Sequence, residues 1–378
     1  MKNALVWIFI VTLAIAVSGC SMTGNTVSSN ENKTIKIALM VPLTGDMSNL
    51  GQSTKNAVQL AAEEINNAGG INGAKLELIY EDSRCNGKDA TNAATKLIDI
   101  DKVHYIIGGV CSSETLAAAP LAEKAKTVYI SPCASNPDIT NAGDFIFRDY
   151  PSDLMQGKYA AEFTFNDLKA RKVALLTCLS DWCAGLHDVF KERFQELGGK
   201  IVESQTFERV SFDFRTQFTK IKESNPDLIF FVAYTESAIN GLKQAKEMGI
   251  NATILGADAW ADTTIWKQTK GFADGVMFVS VKSDPPEDFK QKYIQRFGNE
   301  SYITVCAVQG YDAMKILGNV MEKTGDDSVA VKNELYNVKD YPGVSGDITF
   351  DKNGDLLDAN YVVMVVKDGV PVTRGEAK

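Results

Sequence analysis

The sequence is poor in the residues and motifs on which enzymes most often depend. Only two of its 378 residues are histidines, His104 and His187, so the commonest general base is scarce. The chain lacks the GxSxG, GxxxxGK[ST], GxGxxG and HExxH motifs that mark nucleophilic, phosphate-binding, dinucleotide-binding and metallopeptidase sites. It also has no CxxC pair, which argues against a zinc or redox centre. We therefore expect a binding protein rather than an enzyme, with no metal and no cofactor.

Basic stretches are missing as well. The formal net charge is −9 and the sequence pI is near 5.0. Proteins that bind nucleic acid usually carry a basic patch or a stripe of basic and aromatic residues. No nucleic-acid partner is therefore expected.

A strongly apolar run is confined to the N-terminus, and it is too short for a membrane-spanning helix. Lys2 precedes apolar residues 5–17, and Val-Ser-Gly-Cys follows at 17–20. This pattern resembles a bacterial lipobox, which predicts a signal peptide at 1–19 and lipidation of Cys20. An ordinary signal peptide with an incidental cysteine is the alternative. Residues 20–32 are polar and are predicted to form a tether, so we expect an extracytoplasmic protein that a lipid anchors to the membrane.

Seven cysteines are many for a chain without metal-ligand spacing. A signal peptide places them in an oxidising compartment, where disulfides persist. Setting Cys20 aside leaves six, and six cysteines allow 15 pairings. Cys178 and Cys183 are close enough in sequence to close a small loop. The states of Cys133 and Cys306 stay open at this point.

Short apolar or β-branched runs alternate with helical patterns along most of the chain, which predicts a mostly parallel sheet covered by helices. The predicted strands are 35–41, 76–80, 105–109, 128–131, 173–177, 228–233 and 276–281. Ser53 is predicted to cap a helix that Gly69 and Gly70 end, and 302–323 reads as a long helix. Residues 348–351 and 361–367 flank Asn353-Gly354, which suggests an antiparallel hairpin. A calcium loop at 351–355 is rejected, because the glycine and glutamate that such loops need are missing.

Small hydroxyl residues follow two of the predicted strands. Ser112 and Ser113 come after strand 105–109, and Ser135 comes after strand 128–131. Ligands of open α/β sheets bind outside the carboxyl ends of the strands. Hydroxyl groups and free amides at a helix start suit a carboxylate there. The alternative is that these serines only cap helices.

From residue 35 almost to its end, the chain resembles the branched-chain amino-acid-binding family, the Leu/Ile/Val type of type I periplasmic binding proteins. The motifs that carry the resemblance are VPLTG (41–45), AEEINNAGGING (62–73), IGGVCSS (107–113), and Arg148 followed by Asp153, Gln156 and Gly157. The resemblance implies two doubly wound α/β lobes joined by three crossovers, near residues 148–157, 281–285 and 338–345. The predicted domains are 33–150 plus 284–340 for lobe 1, and 151–283 plus 341–378 for lobe 2.

The resemblance also implies a disulfide and a ligand site. The disulfide would join Cys85 to Cys111. The first lobe would hold the α-carboxylate and α-ammonium of an amino acid. The second lobe would complete the ammonium site, where a carboxylate offsets the desolvation of a buried cation. The residues implied by position are Ser112, the Cys133 backbone and Ser135 from the first lobe, with Tyr234 and Asp258 from the second. Alternatively, Asp258 is a surface carboxylate and Tyr234 an ordinary packed aromatic.

Three residues depart from the family pattern at positions that affect specificity. Leu50 replaces a frequent aromatic residue, Trp182 a frequent tyrosine, and Asp258 is shorter than the more usual glutamate. Trp182 is predicted either to line the ligand pocket or to be a core tryptophan beside the Cys178–Cys183 loop. Trp260 is a weaker candidate for the pocket. A branched-chain amino acid, or a related zwitterion or amide, is the expected ligand.

The resemblance implies a substrate-binding protein that delivers an amino acid to the permease subunits of an ABC importer. A sensory module that signals through a separate partner is the rival reading, because the same clamp would serve both. An enzyme is the weakest reading, since the motifs of catalysis are missing.

Overall fold

The structure, a computed structural model, describes residues 34–298 and 303–375. The predicted signal peptide at 1–19, the lipidation site Cys20 and the tether at 20–32 lie outside the described residues. In the described ranges, no helix combines the length and the hydropathy that crossing a membrane requires.

The first part of the chain forms an all-parallel sheet with the strand order β2-β1-β3-β4-β5. Helices cover both of its faces, and alternate residues of β1, which point in opposite directions, pack against different helices. Leu39 packs with the first and tenth helices of the chain, whereas Met40 packs with the second and third. The elements are β1 (Thr34–Val41), α1 (Ser48–Asn67), β2 (Lys75–Asp82), α2 (Gly87–Thr95), β3 (Tyr105–Gly108), α3 (Ser112–Ala125), β4 (Val128–Ser131) and β5 (Ile146–Arg148).

The next part repeats the same plan around a second core, which is rich in phenylalanine. Its five parallel strands have the order β7-β6-β8-β9-β10. The elements are α4 (Asp153–Glu162), β6 (Lys172–Leu179), α5 (Asp181–Glu196), β7 (Lys200–Glu208), α6 (Arg215–Ser224), β8 (Leu228–Val232), α7 (Thr235–Glu247), β9 (Thr253–Gly256), α8 (Thr263–Gln268) and β10 (Met277–Val281).

The last part of the chain contributes to both lobes. Its three helices pack into the first-lobe core. Its last two strands extend the second sheet, the first of them antiparallel to β10 and the second antiparallel to the first. The elements are α9 (Glu287–Phe297), α10 (Val305–Thr324), α11 (Ser328–Leu335), β11 (Tyr341–Gly343), β12 (Gly346–Ile348), β13 (Tyr361–Lys367) and β14 (Val370–Thr373). The structure thus has the two doubly wound α/β lobes expected from the sequence.

Two local expectations are wrong. The predicted hairpin between 348–351 and 361–367 does not form, because β12 pairs with β11 and β13 pairs with β14. Ile348 and Phe350 belong to the first-lobe core, so residues 341–350 are part of lobe 1 rather than of lobe 2. The third crossover therefore lies between Leu356, which still packs on the first core, and β13.

The first helix also begins earlier than predicted. It starts at Ser48 rather than after Ser53, and the Ser53 hydroxyl accepts a hydrogen bond from the amide of Thr304 at 3.1 Å. The predicted end is correct, since Gly69 and Gly70 have φ of +114° and +78°, a conformation that glycine adopts without strain.

The described residues contain three disulfides, each of which joins two segments of the same lobe. Cys85–Cys111 and Cys178–Cys183 are both present as expected, with Cα–Cα distances of 5.4 and 5.6 Å. Cys133 pairs with Cys306 at 5.1 Å, which ties the turn after β4 to the start of α10. All three distances are ordinary for disulfides.

A buried ion pair joins the edge strand β5 of the first lobe to the connection that precedes β13. Arg148, which has no exposed surface, donates to Asp355 from Nε at 2.6 Å and from Nη2 at 2.9 Å. Its other donors reach the carbonyl of Asn136 at 2.8 Å and the hydroxyl of Thr140 at 2.8 Å. The acidic turn rejected as a calcium loop therefore uses the Asp355 carboxylate to hold an arginine.

The Arg148–Asp355 pair gives the first prediction. Asp355→Ala would leave the guanidinium buried without its partner, which costs about 3–5 kcal/mol. We expect a loss of that size in urea unfolding followed by circular dichroism. The matched control is Asp358→Ala, because Asp358 is an exposed carboxylate in the same connection and should change stability by no more than about 0.5 kcal/mol. Equal, small effects of the two variants would contradict the prediction.

Candidate functional site

A cavity of about 440 Å³ lies between the two lobes. The two sheets share one strand order, and each has its switch point beside its first strand, where the loops at the carboxyl ends diverge and leave a crevice. The cavity is lined by the loops that follow β3 and β4 in the first lobe and β6, β8 and β9 in the second. Seven predicted site residues line it: Leu50, Ser112, Cys133, Ser135, Trp182, Tyr234 and Asp258. Ser113 does not, since its hydroxyl faces the carbonyl of Cys85 at 3.5 Å.

The turn between β3 and α3 forms one wall of the cavity. Gly109 has φ of +70°, and a Cβ there would lie 2.0 Å from Thr115 Oγ1 and 2.4 Å from the Tyr129 hydroxyl. Only glycine fits this turn, which delivers Ser112 to the first position of α3. The first amides of a helix have no partner within the helix, and its dipole favours an anion. This wall is therefore suited to a carboxylate.

Glu114 supports that turn from the side away from the cavity. Its carboxylate accepts from the amides of Cys85 at 2.7 Å and Cys111 at 2.8 Å, and from the hydroxyl of Ser83. Burial raises the pKa of Glu114 to about 7 despite these donors. The side chain is directed to the disulfide, away from the cavity, since it is absent from the lining. Its role is to fix the two backbone segments that the Cys85–Cys111 bridge joins.

The turn after β4 brings Cys133 and Ser135 to the cavity. The Ser131 hydroxyl donates to the Gly109 carbonyl at 2.7 Å and accepts from the Ala134 amide at 3.0 Å. This hydroxyl therefore joins the turns after β3 and β4. The Ser112 hydroxyl adds a second link, because it accepts from the amide of Asn136 at 3.2 Å.

Asp258 follows β9 and lines the cavity from the second lobe. It is 9 % exposed, and the hydroxyl of Tyr150 donates to its Oδ2 at 2.5 Å. Burial raises the pKa of Asp258, and the hydrogen bond from Tyr150 lowers it in part. The surface-carboxylate alternative is excluded by this burial. A carboxylate that is buried yet lines a cavity is suited to a cationic group.

Asp153 lies behind Ser135 and was quoted from the sequence only as part of a motif. Its Oδ2 accepts from the Ser135 hydroxyl at 2.9 Å. The side-chain amide of Gln156 links Asp153 to Asp258. Its nitrogen donates to Asp153 Oδ1 at 2.9 Å, and its oxygen accepts from the Asp258 backbone amide at 2.9 Å. Burial, and then the nearby Asp258, raise the pKa of Asp153. Two buried carboxylates thus meet on this side of the cavity.

Trp182 and Tyr234 form the aromatic wall contributed by the second lobe. Their ring centroids are 4.8 Å apart at an angle of 44°, and both rings are largely buried in the second core. Trp182 is therefore both a cavity residue and a packed one. Trp260 is fully buried and donates to the Ala233 carbonyl at 3.0 Å, so this weaker candidate belongs to the core.

Another part of the cavity is polar, and none of its residues was predicted from the sequence. One face of α1 presents Asn49, Gln52 and Asn56, and α8 presents Thr264 and Lys267 across from it. The Gln52 and Asn56 side chains hydrogen-bond to each other at 2.9 Å. This spacing of three and four residues places side chains on one helix face, but exposed polar faces of that kind are common.

Contacts between the lobes close the cleft. Arg209 of the second lobe donates to the Cys85 carbonyl at 3.1 Å and to Asp46 Oδ1 at 2.9 Å. The Asn136 side chain donates to the carbonyl of Asp181 at 2.6 Å. The structure is therefore a closed form, in which groups of both lobes face one enclosed volume.

Comparison with known proteins agrees with this architecture. Residues 34–370 match the family model described as "Periplasmic binding protein". A leucine-, isoleucine-, valine-, threonine- and alanine-binding protein of Pseudomonas aeruginosa is 28% identical over 333 residues, covering 87% of this chain and 89% of the relative.

Two solved structures are also similar. A leucine-binding protein, LivK, of Thermotoga maritima has a TM-score of 0.83 and 30% identity, covering 90% of this chain and 97% of its own. LivJ of Streptococcus pneumoniae, in complex with isoleucine, has a TM-score of 0.81 and 29% identity, covering 90% and 100%. The chain therefore belongs to the periplasmic binding protein family, and the resemblance to its branched-chain amino-acid-binding members, expected from four sequence motifs, is confirmed.

Proposed function

We propose that the protein captures an amino acid between its lobes and delivers it to the permease of an ABC importer. The observation that carries the proposal is the pairing of two poles across one cavity. The N-terminus of α3, together with Ser112, would bind the ligand's anionic group, and Asp258 would bind its cationic group. The names of the relatives, which bind leucine and isoleucine, support the same class of ligand.

The energetics of the two poles favour a zwitterion over an acid. A buried carboxylate without a cation carries a desolvation cost that a bound ammonium offsets. A ligand with a carboxylate alone would meet Ser112 but would leave Asp258 uncompensated. An amine alone would leave the amides at the start of α3 without an acceptor. An α-amino acid satisfies both groups at once.

The side chain of the ligand would lie against Leu50, Trp182 and Tyr234. These residues give the cavity an apolar section beside its two poles. A volume of about 440 Å³ lies in the usual range for small-molecule sites. Branched-chain amino acids and related neutral zwitterions are the class that we propose.

The protein's place in the cell follows from its family. Periplasmic binding proteins work outside the cytoplasm, and we propose that lipidation of Cys20 holds this one at the membrane by the tether 20–32. The closed form would be what the permease recognises, because only that form joins surfaces of both lobes in a fixed arrangement.

Removing the proposed ammonium partner should abolish tight binding. With L-leucine as titrant in calorimetry, we expect Asp258→Ala to weaken the affinity by about 100-fold or more, since the ligand's cation would be buried unpaired. The control is Asp262→Asn, because Asp262 also lines the cavity but is held by the Thr235 hydroxyl and the Thr264 amide. A thermal-shift screen of all amino acids identifies the preferred titrant first, and mass spectrometry of the recovered ligand checks that it is unchanged. An Asp258→Ala protein with wild-type affinity would remove Asp258 from the site.

Arg209 should tune affinity without touching the ligand. Its two hydrogen bonds exist only between closed lobes, so their loss shifts the population to the open form. Because the pair with Asp46 is partly exposed, we expect Arg209→Ala to raise the Kd by only about 2- to 10-fold. Small-angle scattering should show a larger radius of gyration at partial saturation. Arg215→Ala, an exposed arginine of the same lobe, is the control, and equal effects from both variants would argue against the closure role.

Membrane attachment should depend on one thiol. In a bacterial host, Cys20→Ser should move the protein from the membrane fraction to the soluble extracytoplasmic fraction, because the substitution removes the thiol that would carry the lipid. Ser21→Ala should leave the distribution unchanged. A Cys20→Ser protein that still sediments with membranes would refute lipid anchoring at this position.

A further inference from the structure

The hydroxyl of Ser135 is held between the cavity and a buried acid. Ser135 lines the cavity but is only 2 % exposed. Its hydroxyl donates to Asp153 Oδ2 at 2.9 Å, and its carbonyl accepts from the Asp153 amide at 2.7 Å. Asp153 itself is 1 % exposed and is absent from the lining. Asp153 therefore does not contact a ligand in the cavity.

The surroundings of Asp153 are rich in donors. Besides Ser135, the Gln156 amide donates to Asp153 Oδ1 at 2.9 Å when its nitrogen faces that carboxylate. Asp153 is also the first residue of α4, where the helix dipole favours a negative group. Burial raises the pKa of Asp153, whereas these donors and the helix start favour its charged form. In the contact with Ser135, the hydroxyl is the donor and Asp153 Oδ2 is the acceptor.

A serine hydroxyl has a single hydrogen. If that hydrogen is directed to Asp153, the lone pairs of the Ser135 oxygen remain for the cavity. Such an oxygen can accept from an ammonium group but cannot donate to a carboxylate. The link through Gln156 to Asp258 places this oxygen on the same side of the cavity as the proposed ammonium partner.

We propose that Asp153 is a positioning residue that orients the Ser135 hydroxyl and so makes it an acceptor for the ligand's ammonium. The inference rests on the proposed function and adds a second determinant to it. It also explains discrimination: the outward lone pairs of Ser135 attract an amino acid and repel the same acid without its amino group. Asp153 therefore acts on specificity without contact to the ligand.

The test uses Asp153→Asn with two matched probes, L-leucine and its deaminated analogue 4-methylpentanoate. The new amide nitrogen would take the place of Oδ2 and donate to Ser135, while the amide oxygen keeps the bond from Gln156. The Ser135 hydrogen would then turn to the cavity. By calorimetry, we expect leucine to bind at least about tenfold more weakly, and 4-methylpentanoate to bind as well as or better than it binds to the wild type. Equal losses for both probes would overturn the proposal, because a merely loosened site would not distinguish them.

A double-mutant cycle separates the role of the hydroxyl from the charge of Asp153. Ser135→Ala removes the hydroxyl, and this small change is not expected to disturb the fold. If Asp153 acts through Ser135, the double variant should bind leucine within about twofold of Ser135→Ala alone. A further loss of about tenfold in the double variant would show that Asp153 acts directly by its charge, and would overturn the inference. Thermal unfolding of each variant checks that all are folded.

The wild type is titrated first, which keeps the two hypotheses apart. A wild type that binds none of the amino acids would defeat the proposed function, and this inference with it. A wild type that binds leucine, together with additive losses in the cycle, would defeat this inference alone.

Discussion

Two carboxylates buried beside each other, Asp153 and Asp258, are the constraint on which the site depends. Neither forms an ion pair within the described residues, and the nearest guanidinium, Arg148, is engaged by Asp355. Neighbouring buried negative charges raise each other's pKa and are costly to ionise together. In the proposed function, a ligand cation beside Asp258 would relieve that cost, and ligand capture and closure would then stabilise each other. The hydroxyl of Tyr150 donates to Asp258 and the hydroxyl of Ser135 donates to Asp153, so each carboxylate has one hydroxyl donor.

Topology explains why groups so far apart in sequence meet. Both sheets have the order 2-1-3-4-5 when counted within each lobe, so each has a switch point beside its first strand. The chain crosses between lobes just after β5, and Tyr150 and Asp153 lie on that crossing. A residue on a crossing keeps its place relative to both lobes, unlike a residue at a cleft rim. Part of the buried network of the site is thus built on the connection between the lobes.

The sequence predicted those features that depend on local pattern. Buried apolar runs located seven strands, and the hydroxyl residues after them located Ser112 and Ser135, because strand ends converge in any doubly wound sheet. The partner of β12 could not be predicted, since the Asn353-Gly354 turn says nothing about which strands flank it in space. The role of Asp153 was likewise hidden, because its contact with Ser135 joins two separate segments. The Cys133–Cys306 bridge, which spans 173 residues, is beyond any local pattern.

Recognition in this cleft is divided between two kinds of structure. The end proposed to bind the ligand's charged groups is made of strand termini, a helix start and buried acids, each fixed by several hydrogen bonds. The other end is made of side chains on single faces of α1 and α8, such as Asn49 and Lys267, which are exposed. A substitution at the first end disturbs the network around Asp153 and Asp258, whereas one at the second changes only what a ligand side chain long enough to pass Leu50, Trp182 and Tyr234 would meet. The physical separation of these ends allows the cargo to vary while the way of holding it stays the same.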